Sequence, residues 1–170
     1  MKRFFISALL LSLVPATKAQ QEFHTIMHLF VPQLRQVAYS ATKEEVNLTL
    51  LHCNQWRGME GNPQNTLFSG YYKIRSGGLA IGAIANQEKC GIKTNSMAEL
   101  IFSYGISLRN NLLAFGIGSS FNSMKWDISD LSDEEVHDLY ALSQTPDCRF
   151  LSFRAGLYLC LDNFYFGATV

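Results

Sequence analysis

From residue 45 onward, apolar and polar positions alternate with a period of two. In residues 149–161 the odd positions hold Leu151, Phe153, Ala155, Leu157, Leu159 and Leu161. The even positions hold Phe150, Ser152, Arg154, Gly156, Tyr158 and Cys160. A β-strand sends these two sets to opposite faces. One face is therefore continuous hydrocarbon, and the other mixes small, polar and charged groups. The pattern recurs: Ala98, Leu100, Phe102, Tyr104, Ile106 and Leu108 alternate with Met97, Glu99, Ile101, Ser103, Gly105 and Ser107. Leu113, Phe115, Ile117 and Phe121 alternate with Ala114, Gly116, Gly118, Ser120 and Asn122. Weaker versions cover residues 46–56, 65–74 and 79–86, and a last one covers 164–170, with Phe164, Phe166, Ala168 and Val170 on one face. The pattern predicts about seven strands.

Arg109-Asn110-Asn111, residues 75–78 and the Asp162-Asn163 pair read as tight turns, whereas residues 57–63 and 87–95 read as longer connections. Short turns between consecutive strands predict an antiparallel up-and-down meander. One segment departs from period two. Residues 127–147 carry seven acids and no Lys or Arg. Within them Ser132-Asp133-Glu134-Glu135 fits a capping box, followed by Val136, Leu139, Tyr140 and Leu142 at helical spacing. A short acidic helix in a loop is expected there, as a solvated element or as a contact for a partner.

Alternation by itself also suits a soluble sandwich or a lipocalin-like barrel. Two features favour lipid. Several strands keep the apolar face unbroken for the ten or so residues that a tilted bilayer crossing needs, whereas soluble strands average nearer five or six. The opposite face carries Arg154, Glu99, Asn122 and many Ser and Gly, which suits a water-containing lumen rather than an apolar barrel interior. The expected fold is all-β, an antiparallel meander of an outer-membrane barrel with one short loop helix. Leu151, Phe153, Leu157 and Leu159 should face outward, with Arg154 and Tyr158 inward. On that reading Leu157→Arg should damage membrane assembly far more than Arg154→Leu.

The first residues do not belong to this pattern. Met1-Lys2-Arg3 is basic, residues 4–15 are mostly apolar, and Thr17 and Ala19 are small residues at −3 and −1 of a cut before Gln20. That is a secretory signal over 1–19, followed by an N-terminal segment over 20–44 and the strands of a partial barrel over 45–170. Cleavage removes Lys2, Arg3 and Lys18 and takes the formal charge from zero to −3, which gives nothing to recruit nucleic acid. Export permits disulfides. Cys53, Cys90, Cys148 and Cys160 match no zinc or redox spacing, however, and read mainly as small packing residues.

The densest local signature is Asn54-Gln55-Trp56-Arg57-Gly58, followed by Gly61-Asn62-Pro63. It resembles the first strand and loop of the PorP/SprF family, where Arg-Asn-Gln-Trp precedes Gly and then Gly-Ala-Pro. Phe30-Val31-Pro32 and Val37-Ala38-Tyr39-Ser40 resemble the family's Asn-Pro and Pro-Ala-Tyr-Ser-Gly segments. Residues 79–91 resemble its Gly-Leu-Gly strand and Asn-Asp-Lys-Ile-Gly turn, with Gly91 at the final Gly. The chain departs from the family at Val37 for Pro, Ala41 for Gly and Cys53 for Arg. The resemblance implies an outer-membrane component of the type IX secretion system of Bacteroidetes, linked to export of cargo with C-terminal sorting domains, gliding adhesins among them. It also implies contact with the system's periplasmic components. The family's members are nearly twice as long, so an open half-barrel in a truncated chain is expected, with unpaired edges near residues 46–56 and 164–170.

Enzyme signatures are absent: no Gly-x-Ser-x-Gly, Walker loop or His-Glu-x-x-His occurs. His24 and His28 are four apart but lack a third ligand, and His52 and Cys53 point to opposite faces of a strand. No catalytic, cofactor or metal residue is assigned. Trp56 reads equally as a recognition element or as an interfacial anchor. The competing functions are a secretion-system barrel, a simple porin or hydrophobe transporter, and a soluble periplasmic β-domain.

Overall fold

A computed structural model describes residues 29–42, 46–74, 77–108, 111–127, 147–161 and 164–170. Seven strands form one sheet: β1 (Val46–Asn54), β2 (Gln64–Lys73), β3 (Leu79–Cys90), β4 (Lys93–Leu108), β5 (Asn111–Trp126), β6 (Cys148–Cys160) and β7 (Tyr165–Thr169). They lie in sequence order and every neighbouring pair is antiparallel. Among the described residues β1 pairs only with β2 and β7 only with β6, so the sheet is an open meander. No helix of the described residues is long and apolar enough to cross a membrane, which says nothing about crossing with strands.

Period two sorts the faces as expected. On β6, Leu151 and Phe153 are 64% and 75% exposed on the convex side, and Leu157 shares that side. Arg154 and Tyr158 turn to the concave side, where Arg154 reaches Glu99 and Tyr158 meets Tyr39 edge-on. Leu48, Leu50, Phe68, Leu100, Phe102, Phe115, Ile117 and Phe121 stand exposed on the same convex wall. A water-soluble sheet would bury such a wall.

The connections correct part of the sequence reading. Residues 87–95 are not a long loop: β3 continues to Cys90 and β4 starts at Lys93, leaving only Gly91-Ile92 between them. Beyond Asn86 and before Ala98 the outward positions turn polar, so hydrophobic alternation ends while the backbone ladder goes on. The last residues of the predicted first strand also leave the sheet, because Trp56 takes φ +51°, outside the strand region. The acidic helix at residues 132–142, the signal segment 1–19, His24, His28 and the turn residues 75–76, 109–110 and 162–163 lie outside the described residues.

The N-terminal segment was expected only to precede the first strand. Instead, residues 31–42 lie against the concave wall as two short 3-10 turns, Pro32–Leu34 and Val37–Ala41. Val31 and Val37 pack on Leu67, Ile84 and Ile101, while Ala38 and Ala41 pack on Ala80 and Ala114. The apolar core of the molecule is thus the contact between this inner segment and the sheet. The concave wall is not a bare, water-filled surface there.

Candidate functional site: the inner segment, its seat and the motif rim

The seat of the inner segment is made by small residues. Gly82, Gly105, Gly116, Gly118, Gly156 and Gly167 all sit on the concave face. At Gly116 an added Cβ would stand 2.6 Å from Ala38 N and 2.7 Å from Val37 C, which are backbone atoms that cannot swing aside. At Gly105 it would stand 2.9 Å from Ala41 O. Glycine weakens a strand by offering no side chain to pack, and its use here is to let a second backbone approach closely.

Polar groups then fasten the segment. Arg154 on β6 donates through Nε to Glu99 Oε1 at 2.9 Å and through Nη2 to Oε2 at 2.5 Å, a two-pronged ion pair. Glu99 stands on β4, two strands away, and its carboxylate crosses β5 at Gly118, where any side chain would collide with Glu99 Oε1. Arg154 also donates through Nη1 to Leu34 O at 2.6 Å and through Nη2 to Gln33 O at 3.4 Å. Gln33, 1% exposed, accepts from Ser69 Oγ at 2.6 Å and donates to Ser40 Oγ. Gln36 donates to Leu157 O at 3.0 Å and accepts from Thr169 Oγ1 at 2.9 Å and from Ala38 N at 3.3 Å. Its side chain therefore ties the last strand to the turn that follows it. A cavity of about 180 Å³ remains beside the start of the segment, between Phe30, Val31, Tyr39, Asn47 and Tyr71.

The motif residues gather at one rim. Asn54 ends β1, and Asn62 Nδ2 donates both to Asn54 Oδ1 and, at 3.0 Å, to Gln55 O. Gln55 N donates to Pro63 O at 2.9 Å, closing the loop, and Pro63 is buried. Gly58, Gly61 and Gly91 have φ of +101°, +72° and +57°, which glycine adopts without steric cost. Gly91 N donates to Gly61 O at 2.9 Å, so the β1–β2 loop docks on the β3–β4 turn. Trp56 is 68% exposed despite its left-handed backbone. At the same rim the Lys93 ammonium lies 5.7 Å over the Trp126 ring.

Other expected features stay apart. His52 hydrogen-bonds Thr66 Oγ1 at 2.9 Å on the outer face, while Cys53 sits inward against the core, so the two do not form a base–nucleophile pair. All four cysteines are free. Cys53 packs as expected, but Cys90 and Cys148 are exposed and do not. Among the described residues no group of three or more His, Cys, Asp or Glu could hold a metal ion.

An apolar outer wall, an inner wall of mixed small, polar and apolar residues covered by the chain's own N-terminal segment, and consecutive antiparallel strands define an open barrel-type meander with its hydrocarbon turned outward. The chain belongs to the type IX secretion system membrane protein PorP/SprF family, whose sequence profile matches residues 18–170. No curated protein and no solved structure matches it. The seat escaped the sequence reading, although a signal existed: glycines recur at one parity of five strands, on the face away from the hydrocarbon.

Proposed function

We propose that this chain is a non-enzymatic outer-membrane component of the type IX secretion system, assisting export or surface attachment of cargo such as gliding adhesins. Residues 1–19 act as a secretory signal removed before Gln20. Residues 20–44 are the N-terminal segment, of which residues 31–42 occupy the concave wall, and residues 45–170 form the lipid-facing part. The partners are outer-membrane lipid, other components of the system and the C-terminal domains of cargo. Asn54, Gln55, Trp56, Gly58, Gly61, Pro63 and Gly91 build the rim that meets such partners. The family match together with the exposed apolar wall carries this reading. The covered concave face disfavours a simple porin, which needs an open lumen. Deletion should abolish cargo secretion and a wild-type copy should restore it, with the chain in the outer-membrane fraction and heat-modifiable on gels. Normal secretion after deletion, or a chain found only in the soluble fraction, overturns it. N-terminal sequencing of the exported form should begin at Gln20.

A further inference from the structure

The cross-strand register draws a line on the convex wall. Leu50, Phe68, Ala85, Ala98, Phe121 and Leu151 are opposite one another from β1 to β6, and all are apolar. The next outward row is His52, Thr66, Gln87, Ser96, Ser123 and Arg149, and all are polar. The row beyond is Asn54, Gln64, Lys89, Thr94 and Lys125. Hydrocarbon therefore gives way to polar groups within one step on each strand from β1 to β6.

The charges on these two rows are of one sign. Lys89, Lys125 and Arg149 are exposed, and none has an ion pair among the described residues. Lys89 and Lys125 flank Thr94 in one row, and Arg149 is opposite Ser123, one outward step below Lys125. Glu88 and Glu99 take the concave parity; the acids on the outward parity lie just outside the strands, Asp127 two residues past Lys125 and Asp147 two residues before Arg149, level with Lys125 in the β5–β6 register.

We infer that Lys89, Lys125 and Arg149 form a binding site for the phosphate groups of membrane lipid headgroups, placed at the upper border of the lipid-facing wall. Each outward step is roughly 6.8 Å along a strand. At a tilt of ~40° the two polar positions of any one strand stand about 5 Å and about 10 Å above that strand's last apolar position. The headgroup zone extends about 5–7 Å beyond the hydrocarbon on each side. Arg149 lies within that zone, and the long stems of Lys89 and Lys125 let their ammonium groups bend down into it. The leaflet is the outer one: this rim bears the connections 55–63 and 127–147, and the opposite rim bears only short turns, the polarity of outer-membrane barrels. Arg supplies a planar fork and Lys point charges, the usual pair of donors for phosphate.

The inference rests on the lipid-facing reading, and one experiment separates the two. The full chain is purified from the outer-membrane fraction of cells that produce it, and phosphorylated lipid retained after a detergent wash is counted by native mass spectrometry. Neutralising Lys89, Lys125 and Arg149 to Gln should weaken retention about fivefold per residue, since each basic group near an anionic surface contributes a similar increment. Lys93→Gln is the control, because it removes the same charge from the same rim on the concave face. The double variant Lys89→Arg, Lys125→Arg should keep the lipid. Heat-modifiable mobility should be unchanged throughout, since all three residues lie beyond the apolar belt. Equal retention by the triple variant, or an equal loss in Lys93→Gln, overturns the headgroup site alone. Absence of the wild-type chain from the membrane fraction overturns both readings.

Discussion

At the scale of single residues, the Arg154–Glu99 pair reverses an expectation. Period two places Arg154 inward, and a polar lumen would make its replacement mild. The Glu99 side chain is fully buried, however, and Arg154 supplies both its partner and a donor to the carbonyls of the inner segment. Breaking such a pair leaves a buried charge unmatched, a cost of about 3–5 kcal/mol. Because the Arg154 side chain is 25% exposed, the lower end applies. A charge on the lipid face at the bilayer midplane costs roughly 2–4 kcal/mol, so Arg154→Leu should destabilise about as much as Leu157→Arg. Unfolding midpoints of the two variants check this, and a double Arg154→Leu, Glu99→Leu variant should recover most of the loss. Trp56 supplies a second case. A bulky residue at φ +51° holds roughly 1 kcal/mol or more of backbone strain, so Trp56→Gly should raise the unfolding midpoint. If partner binding falls at the same time, the strain serves to present the indole. If binding is unchanged, the ring is only an interfacial anchor.

Among elements, the inner segment and the strands beneath it are one structural unit. The segment lacks the length for a stable helix and has only short 3-10 turns, so its conformation depends on the seat. Gly116→Ala pushes a methyl group into the backbone of Val37 and Ala38, and no rotamer change relieves it. Gly77→Ala meets nothing within 4 Å. The first should therefore expose residues 29–42 to protease while the second leaves them protected, which a limited-proteolysis time course resolves. Gly118→Ala belongs with the first, because it blocks the path of Glu99 to Arg154.

For the whole molecule, an odd number of antiparallel strands leaves the outer edges of β1 and β7 running in the same direction. Closure with antiparallel neighbours would require an odd number of additional strands from any source. Unclosed edges carry unpaired amides in contact with solvent or lipid. Amide exchange should thus be slow in β4 and β5, which are sixteen residues long and pair on both sides over most of that length, and fast in β7 and in alternate residues of β1. Protection of β1 and β7 equal to that of β4 would mean that further strands cover those edges.

The strands, their order and the direction of each face were legible in the sequence because period two is local: the backbone geometry of a strand fixes which residues share a side. Leu151 and Arg154 could be sorted without knowing any neighbour. The strand ends beyond Asn86 and before Ala98 were not legible, since outside the hydrocarbon belt polar residues face out while the ladder continues. The motif loop was visible as a string of residues, but the docking of Gly61 on Gly91 joins positions from two hairpins. The seat lay furthest from view. Glu99, Gly118 and Arg154 come from three strands, and Gln33 and Gln36 from a segment with no period of its own. Their meeting depends on register and sheet curvature, and these are settled only when every strand pair and the inner segment pack together.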